Sequence, residues 1–189
     1  MVYCLRFKET MEEIAGNIIR VKDELANDEI NNLVSEIYRS RKIFIYGAGR
    51  SGFIGRAFAQ RLMHLGLDSV FIGDSITPQF KKDDLLILIS GSGETTTPVS
   101  IAQKCKKLDG KLVLITSHPQ STIGRLADII INIKSKSKSD LNENSETLAP
   151  YTSLFDITTL ALFDSIARVI MDEKQITERD IDMRHATLE

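Results

Sequence analysis

The chain has 189 residues and a mass of 21.2 kDa, which suits one domain with a full-sized core or a core with short arms. Its 42% hydrophobic and 26% charged residues are ordinary for a soluble globular protein. Its formal net charge of -2 gives no general attraction to nucleic acid or to an anionic membrane. An anionic ligand must therefore be held by local geometry.

The chain carries no sign of a targeting or disulfide-forming segment. The N-terminus contains Arg6, Lys8 and Glu9 and lacks an apolar stretch before a cleavage site, so it does not indicate a signal peptide. The apolar runs are far shorter than the roughly 20 residues that a membrane span needs. Cys4 and Cys105 have no metal-binding or redox spacing. We therefore expect a cytoplasmic protein.

The first part of the chain has a helical pattern from Lys8 to about Arg39, interrupted at Asn27 and Asp28. One apolar stripe before the interruption contains Ile14, Ile18, Val21 and Leu25. We predict that residues 1–40 form a helical arm packed on the core and that residues 41–189 form the main domain. The chain as a whole is expected to be a single domain.

Short apolar runs then alternate with helical segments. The runs are predicted β-strands, and they are Lys42–Tyr46, Ser69–Ile72, Leu85–Ile89, Lys111–Thr116 and Asp128–Ile133. The predicted helices lie around residues 53–62, over Thr95–Leu108 and, as a short helix, over Thr122–Ala127. Strand-helix-strand repetition produces a parallel sheet covered on both faces. The prediction is an α/β fold, a three-layer αβα sandwich with a five-stranded parallel sheet.

The rest of the chain contains a polar segment and a strongly apolar helix. Residues 135–146 are polar and are predicted to form a mobile loop. Leu154–Met171 is apolar on more than one side, which suits burial between the sheet and a partner subunit. A charged final helix is expected over Thr177–Arg184, followed by a short tail.

The first glycine-rich loop, Gly47–Gly52, reads GAGRSG and matches the GxGxxG pattern of dinucleotide-binding loops. Asp74 lies about twenty residues beyond it, where an acid that binds ribose would be expected. The chain has little length left for a separate catalytic domain, however, and Asp74 follows Gly73 in a loop. A dinucleotide enzyme is therefore the less favoured interpretation.

The second glycine-rich loop, Ser90–Thr95, reads SGSGET and follows the most hydrophobic strand. Its two glycines let the backbone turn sharply and approach a ligand closely, and five hydroxyl donors are supplied by Ser90, Ser92 and the three threonines Thr95–Thr97. The helix that begins at about Thr95 presents unpaired amides and a positive dipole end, which suits a phosphate dianion. Helix capping alone would need a single hydroxyl. We therefore predict a loop that binds the phosphate of a sugar phosphate.

The stretch IFIYGAGRSGFIGRAFAQRLMHLG, followed by DDLLILISGSGET, resembles the sugar isomerase (SIS) domain family and, within it, the 6-phospho-3-hexuloisomerases. The resemblance runs from about Lys42 through RLADIIINI and resumes in the closing segment MRHATLE. It implies a flavodoxin-like SIS domain over 41–189 and assembly as a homotetramer. The apolar long helix and the N-terminal arm would provide the interfaces between subunits.

The resemblance also implies a reaction, the interconversion of 3-hexulose 6-phosphate and fructose 6-phosphate through an enediol. This reaction follows the capture of formaldehyde by ribulose 5-phosphate in the ribulose monophosphate pathway. It needs a base, donors for a developing oxyanion and an anchored phosphate, and it requires no cofactor. His64, His118 and His185 suggest no metal-ligand cluster, which agrees with a reaction that needs no metal. The implied partners are the sugar phosphate and further copies of the chain, not nucleic acid or a membrane.

Site residues are assigned by their position in the matching motifs. The predicted substrate-binding residues are Gly49, Arg50, Ser51, Ser90, Gly91, Ser92, Gly93, Glu94 and Thr95. Arg50 is expected to stabilise negative charge on the sugar. His185 is a predicted catalytic residue that would shuttle a proton if the tail folds over an active site, either its own or a neighbour's. His118 could line the cleft but is left out of the catalytic set.

Asp156 is the other predicted catalytic residue, the base. The family places a Glu in a Gly-Thr-x-Phe-Glu-like context, whereas this chain reads TSLFD, with Thr152 at the Gly position and Asp156 at the Glu position. The aspartate is one methylene shorter, and its alternative role is that of a first-turn acid that stabilises the helix dipole. If Asp156 is the base, its replacement by Asn should abolish turnover and preserve binding.

Two rival functions share the phosphate loop. One is an isomerase for another sugar phosphate, such as arabinose 5-phosphate, because the loop does not report the length of the sugar. The other is a non-catalytic sugar-phosphate sensor, which the shorter carboxylate of Asp156 would permit. Against the sensor, the chain has no basic helix-turn-helix arm that could transmit a signal.

Overall fold

The computed structural model describes residues 2–135 and 147–187. No helix within these ranges is long and apolar enough to cross a membrane. The predicted mobile loop lies almost entirely outside the described residues, as do the last two residues of the tail.

The helices are α1 (Val2–Glu24), α2 (Asn27–Arg39), α3 (Arg50–His64), α4 (Thr96–Lys107), α5 (Ser153–Lys174) and α6 (Glu178–Asp182). The strands are β1 (Ile43–Gly47), β2 (Ser69–Phe71), β3 (Leu85–Ile89), β4 (Lys111–Thr116) and β5 (Ile129–Asn132).

The five strands form one parallel sheet in the order β2-β1-β3-β4-β5. The register between β1 and β3 runs from Ile43 beside Leu85 to Gly47 beside Ile89. The two strands therefore end side by side at the same edge of the sheet. The predicted α/β fold with a five-stranded parallel sheet is confirmed.

Alternate residues of the strands enter two separate cores because successive side chains of a strand point to opposite faces. On one face, Ile45 and Ile87 pack with residues of α2, α3 and α5. On the other face, Phe44 and Leu86 pack with Ala102 of α4 and with residues that follow β4. All five residues of β3 are buried, which explains why this strand reads as a continuous apolar run in the sequence.

The N-terminal helices lie against the same side of the molecule as α5. The Asn17 side chain of α1 donates a hydrogen bond to the Thr158 hydroxyl of α5 over 2.7 Å. Leu33 and Ile37 of α2 are fully buried in the core beneath the sheet. The division into an arm and a main domain stays a prediction.

Several predicted bounds differ from the structure by a few residues, and two predictions differ more clearly. Residues 122–127 form hydrogen-bonded turns rather than the predicted short helix, with Arg125 N bonded to Ser121 O over 3.0 Å. Gly124 lies so close to the backbone of Pro119 that a Cβ atom there would be 1.9 Å from the Pro119 oxygen. Helix α1 begins at Val2 rather than at Lys8, and no buried apolar stripe indicated this start because Tyr3, Leu5 and Phe7 are exposed.

Candidate functional site

The two glycine-rich loops meet where the order of strands reverses. Chain connections lead from β1 toward one edge of the sheet and from β3 toward the other. Parallel sheets of this kind bind ligands in the crevice beyond the carboxyl ends of the strands at such a reversal. The loop after β1 and the loop after β3 lie at this crevice because β1 and β3 are neighbours.

The first loop turns tightly from β1 into α3. Gly49 has φ 58° and ψ -129°, a conformation that favours glycine, and it precedes the first residue of the helix. A Cβ atom at Gly47 would lie 2.6 Å from the Ser51 carbonyl oxygen, so the loop folds back on the strand end. Arg50 and Ser51 consequently occupy the first turn of α3, beside the crevice.

The second loop is held in shape by its own hydroxyls. Gly93 has φ 64°, and its N–H donates to the Ser90 hydroxyl over 3.2 Å. A Cβ atom at Gly93 would lie 1.9 Å from the hydroxyl oxygen of Ser121, so only glycine fits there. The Ser92 hydroxyl accepts a hydrogen bond from Glu94 N over 3.3 Å.

Thr95 lies at the position that caps α4, yet its side chain makes no capping hydrogen bond. Capping was the ordinary explanation for a threonine at this position. The first amides of a helix have no intrahelical partner, and the N-terminal end carries partial positive charge. The end of α4 at this loop therefore offers amides, together with the Thr95 hydroxyl, to an anion.

A cavity of about 340 Å³ opens between the two loops and the start of α5. This volume lies within the range of about 300–1,000 Å³ that is usual for small-molecule sites. The predicted site residues in its wall are Gly49, Arg50, Ser51, Ser90, Gly91, Ser92 and Thr95. The structure thus brings most of the predicted substrate-binding residues to one cavity.

The cavity wall also contains residues that were not among the predicted site residues. They are Ala48, Ile89, Pro98, Tyr151, Thr152 and Phe155. The Phe155 ring packs against Gly91, at 3.6 Å from where a Cβ atom would lie. Among these residues, two carried a signal in the sequence: Phe155 matches the Phe of the family's Gly-Thr-x-Phe-Glu context, and Thr152 departs from its Gly.

Gly93 and Glu94 lie outside the cavity wall. The Glu94 carboxylate accepts a hydrogen bond from Thr122 N over 2.7 Å and so joins this loop to the turns after β4. Hydrogen bonds from the backbone and side chain of Thr122, with the Arg125 charge nearby, lower the pKa of Glu94. Their role as substrate-binding residues stays a prediction.

The back of the second loop is fixed by the residues that follow β4. The Gly91 carbonyl oxygen accepts hydrogen bonds from the Thr116 hydroxyl and from Ser117 N, each over 3.0 Å. The Nδ1 atom of His118 lies 3.0 Å from the same oxygen. These contacts hold the carbonyl on the side of the β4 segment, and they place His118 behind the loop.

Asp156 is buried beside the cavity and is not part of its wall. Its Oδ1 atom accepts a hydrogen bond from the Ser51 hydroxyl over 3.0 Å. Its Oδ2 atom accepts one from Arg50 Nε over 3.1 Å and another from the Thr152 hydroxyl over 2.8 Å. The side chain of Asp156 is 1% exposed, whereas that of Arg50 is 62% exposed. The carboxylate therefore links the first loop to the start of α5.

His185 lies at the other end of α3. Its ring packs on that of His64 with the centroids 4.1 Å apart. Arg184 donates a hydrogen bond from Nη1 to the His64 carbonyl oxygen over 3.0 Å, and its guanidinium lies 3.1 Å from where a Cβ atom of Gly66 would be. Burial, followed by the influence of His185 and Arg61, lowers the pKa of His64. The structure therefore separates His185 from its own chain's cavity.

Asp74, the acid that would bind ribose in a dinucleotide enzyme, already forms an ion pair. Asp74 Oδ1 accepts a hydrogen bond from Arg56 over 3.0 Å, and the same guanidinium lies over the Phe71 ring. Across the described residues, no group of three or more His, Cys, Asp or Glu side chains is placed to hold a metal ion.

Comparison with known proteins shows the family. A model of the SIS domain matches residues 36–161. A Bacillus subtilis protein named 3-hexulose-6-phosphate isomerase is 35% identical over 185 residues, which cover 98% of this chain and 100% of that protein. A protein of the same name from Methanocaldococcus jannaschii is 37% identical over 184 residues, covering 95% of this chain and 97% of that protein. A crystal structure from Methanococcus jannaschii, with an inferred function of 3-hexulose-6-phosphate isomerase, has a TM-score of 0.84 and 36% identity and covers 95% of this chain and 98% of that one.

Proposed function

Because this chain belongs to the SIS-domain family and is an isomerase, we propose that it interconverts 3-hexulose 6-phosphate and fructose 6-phosphate. The observation that carries this proposal is the hydroxyl-lined cavity at the reversal of strand order, in a chain that matches two proteins named for this reaction over nearly its whole length. The reaction belongs to the ribulose monophosphate pathway, in which we propose that the protein acts in the cytoplasm.

The phosphate is proposed to bind at the second glycine-rich loop. Ser90, Ser92 and Thr95 line the cavity, and Thr95 directly precedes α4, so their hydroxyls and the first amides of the helix are the groups proposed to hold the phosphate. Hydrogen bonds to a charged group are stronger than those between neutral groups, and a helix N-terminus favours an anion. This local arrangement explains how a chain of net charge -2 binds a dianion.

The sugar is proposed to face the first loop. In the forward reaction a proton leaves C2 of the 3-ketose, an enediol forms between C2 and C3, and a proton is delivered to C3 while the O2 hydroxyl proton is lost and O3 gains one. Negative charge develops on the oxygens during these steps, and fixed donors that point at it lower the barrier. The Arg50 Nε atom carries the bond to Asp156, so the terminal nitrogens are the ones proposed to reach the sugar oxygens.

The assembly is proposed to be a homotetramer that completes the site. A groove of about 340 Å³ between α1, α2 and α5 has a mainly apolar lining. Apolar side chains are also exposed along α1, namely Tyr3, Leu5, Phe7, Met11 and Ile19. Exposed apolar patches of this kind mark surfaces where proteins associate. In this proposal a neighbouring subunit carries its His185 to the cavity, where the imidazole shuttles a proton between oxygens.

A coupled assay tests the proposed reaction. The protein is mixed with formaldehyde, ribulose 5-phosphate and a hexulose-phosphate synthase, and the formation of fructose 6-phosphate is followed. We expect formation that depends on the added chain, and no conversion of arabinose 5-phosphate in a parallel reaction. Conversion of arabinose 5-phosphate alone would assign another isomerase, and tight sugar-phosphate binding with no turnover would assign the sensor.

A further inference from the structure

The hydrogen bonds around Asp156 differ from those expected for a base. A general base must come within about 2.6–3.2 Å of the proton that it removes. Thr152 and Phe155 of the same segment line the cavity, but the Asp156 carboxylate lies behind them, 1% exposed. Its two oxygens already accept hydrogen bonds from three side chains, those of Arg50, Ser51 and Thr152.

The backbone of Thr152 has an unusual conformation beside the Asp156 carboxylate. Its φ is 64° and its ψ is -6°, in the left-handed region that a β-branched residue rarely adopts. In that conformation its hydroxyl donates to Asp156 Oδ2 over 2.8 Å, and its carbonyl oxygen accepts from Asp156 N over 2.9 Å. A disfavoured backbone conformation persists where the surrounding contacts require it. One contact that Thr152 makes in this conformation is the hydroxyl bond that holds the carboxylate.

The three donors to the Asp156 carboxylate come from the starts of two helices, α3 and α5. Arg50 and Ser51 belong to the first turn of α3, and Thr152 directly precedes α5. Arg50 is largely exposed at the cavity, so without a fixed partner its long side chain would sample many rotamers. A buried carboxylate bonded to Nε restricts the guanidinium to orientations that face the cavity.

We infer that Asp156 is a positioning residue, braced by Thr152, that orients Arg50 toward the sugar phosphate and does not remove the substrate proton. This inference rests on the proposed function for its kinetic consequences. It does not rest on it for binding, because the cavity contacts exist whichever sugar phosphate is bound. Asp156 then acts through Arg50, and its effect on the ligand should disappear when Arg50 is replaced.

A double-mutant cycle tests this dependence. The wild type, Asp156→Asn, Arg50→Gln and the double variant are compared by calorimetric Kd for fructose 6-phosphate and by kcat and KM in the coupled assay. We expect Asp156→Asn to weaken binding roughly tenfold, as the loss of one charged hydrogen bond does. The double variant should bind no more weakly than Arg50→Gln, because coupled residues are not additive.

The opposite result would overturn the inference. If Asp156 is the base, Asp156→Asn preserves Kd, abolishes kcat and causes the same further loss of kcat in the Arg50→Gln background. If the wild type shows no turnover at all, the proposed reaction fails, while the cycle in Kd still decides whether Asp156 acts through Arg50. The two failures are therefore distinguishable.

A second pair of variants guards against an effect on folding. Circular dichroism and thermal unfolding show whether Asp156→Asn retains the fold. Thr152→Ala removes the hydroxyl that braces the carboxylate, and Thr152→Ser keeps it. We expect Thr152→Ala to weaken fructose 6-phosphate binding more than Thr152→Ser, and we expect this difference to vanish with Arg50→Gln. A difference that persists without Arg50 would contradict the inference.

Discussion

The two ends of helix α3 present different chemistry. Its N-terminal end carries Arg50 and Ser51 to a cavity lined by hydroxyls and glycines, and no histidine lies among the described residues of the cavity wall. Its C-terminal end carries His64, on which His185 packs. A helix of 15 residues is about 20 Å long, so one chain cannot bring both ends to the same ligand.

The difference between these ends separates anchoring from proton transfer. The cavity end holds groups that suit a phosphate and a developing oxyanion, and the other end holds two imidazoles, a group that proteins use to transfer protons. Symmetric association commonly places one surface of a subunit against a different surface of a neighbouring copy. In the proposed chemistry, the homotetramer is therefore needed to bring the histidine end of one subunit to the cavity of another.

The largest expected effect concerns whether the cavity end of one subunit and the histidine end of its neighbour form one active site. His185→Ala and Arg50→Gln should each lower kcat/KM, the former by about 100-fold or more, as the loss of a proton-transfer group does. After the two variants are mixed and allowed to exchange subunits, activity should return to about a quarter of the wild-type rate, since half of the randomly formed pairs contain one intact site. Each variant exchanged with itself is the control. No recovery would show that a neighbour does not supply His185.

A smaller effect is expected within the cavity end. Thr95→Val keeps the shape of the side chain and removes a hydroxyl that does not cap α4. We expect the Kd of fructose 6-phosphate to rise about 10- to 100-fold because a hydrogen bond to a charged phosphate is lost. Thr97→Val is the matched control, since Thr97 is exposed on the same helix outside the cavity wall. Equal Kd values for both variants would place the phosphate elsewhere.

The smallest effect concerns the pH response of the histidine end. The pKa of His64 is lowered from its ordinary value of 6.5 in the folded chain, so the unfolded chain binds more protons between the two pKa values. The stability that neutral His64 confers is complete above its unfolded pKa and declines as the pH falls through the folded-state pKa. Between about pH 7.5 and 5.5, the Tm of the wild type should fall more than that of His64→Gln. Equal falls would contradict a buried neutral imidazole.

The sheet and the glycine-rich loops could be predicted because they depend on local patterns. The run Leu85–Ile89 is buried on both faces and therefore reads as apolar throughout. Gly49 and Gly93 mark turns with positive φ, which the loops require. The turns at residues 122–127 could not be distinguished from a helix because the segment is short and its shape depends on contact with Pro119.

The surroundings of Asp156 could not be predicted because they depend on distant parts of the chain. The sequence placed Asp156 and Thr152 at the start of α5 and showed that both depart from the family pattern. It did not show that the two side chains are hydrogen-bonded to each other, or that Arg50 and Ser51, more than 100 residues earlier, share the same carboxylate. Contacts of such separation are set by how α3 and α5 pack. The pairing of His64 with His185 was hidden for the same reason.

Proton exchange with solvent tests the proposed chemistry most directly. Fructose 6-phosphate is incubated with the wild-type protein in D₂O, and each carbon-bound proton is followed by NMR. An enediol between C2 and C3 predicts that deuterium enters at C3, together with the appearance of the 3-ketose. Deuterium at C1 would instead indicate an enediol between C1 and C2 and would contradict the proposal that this chain interconverts 3-hexulose 6-phosphate and fructose 6-phosphate.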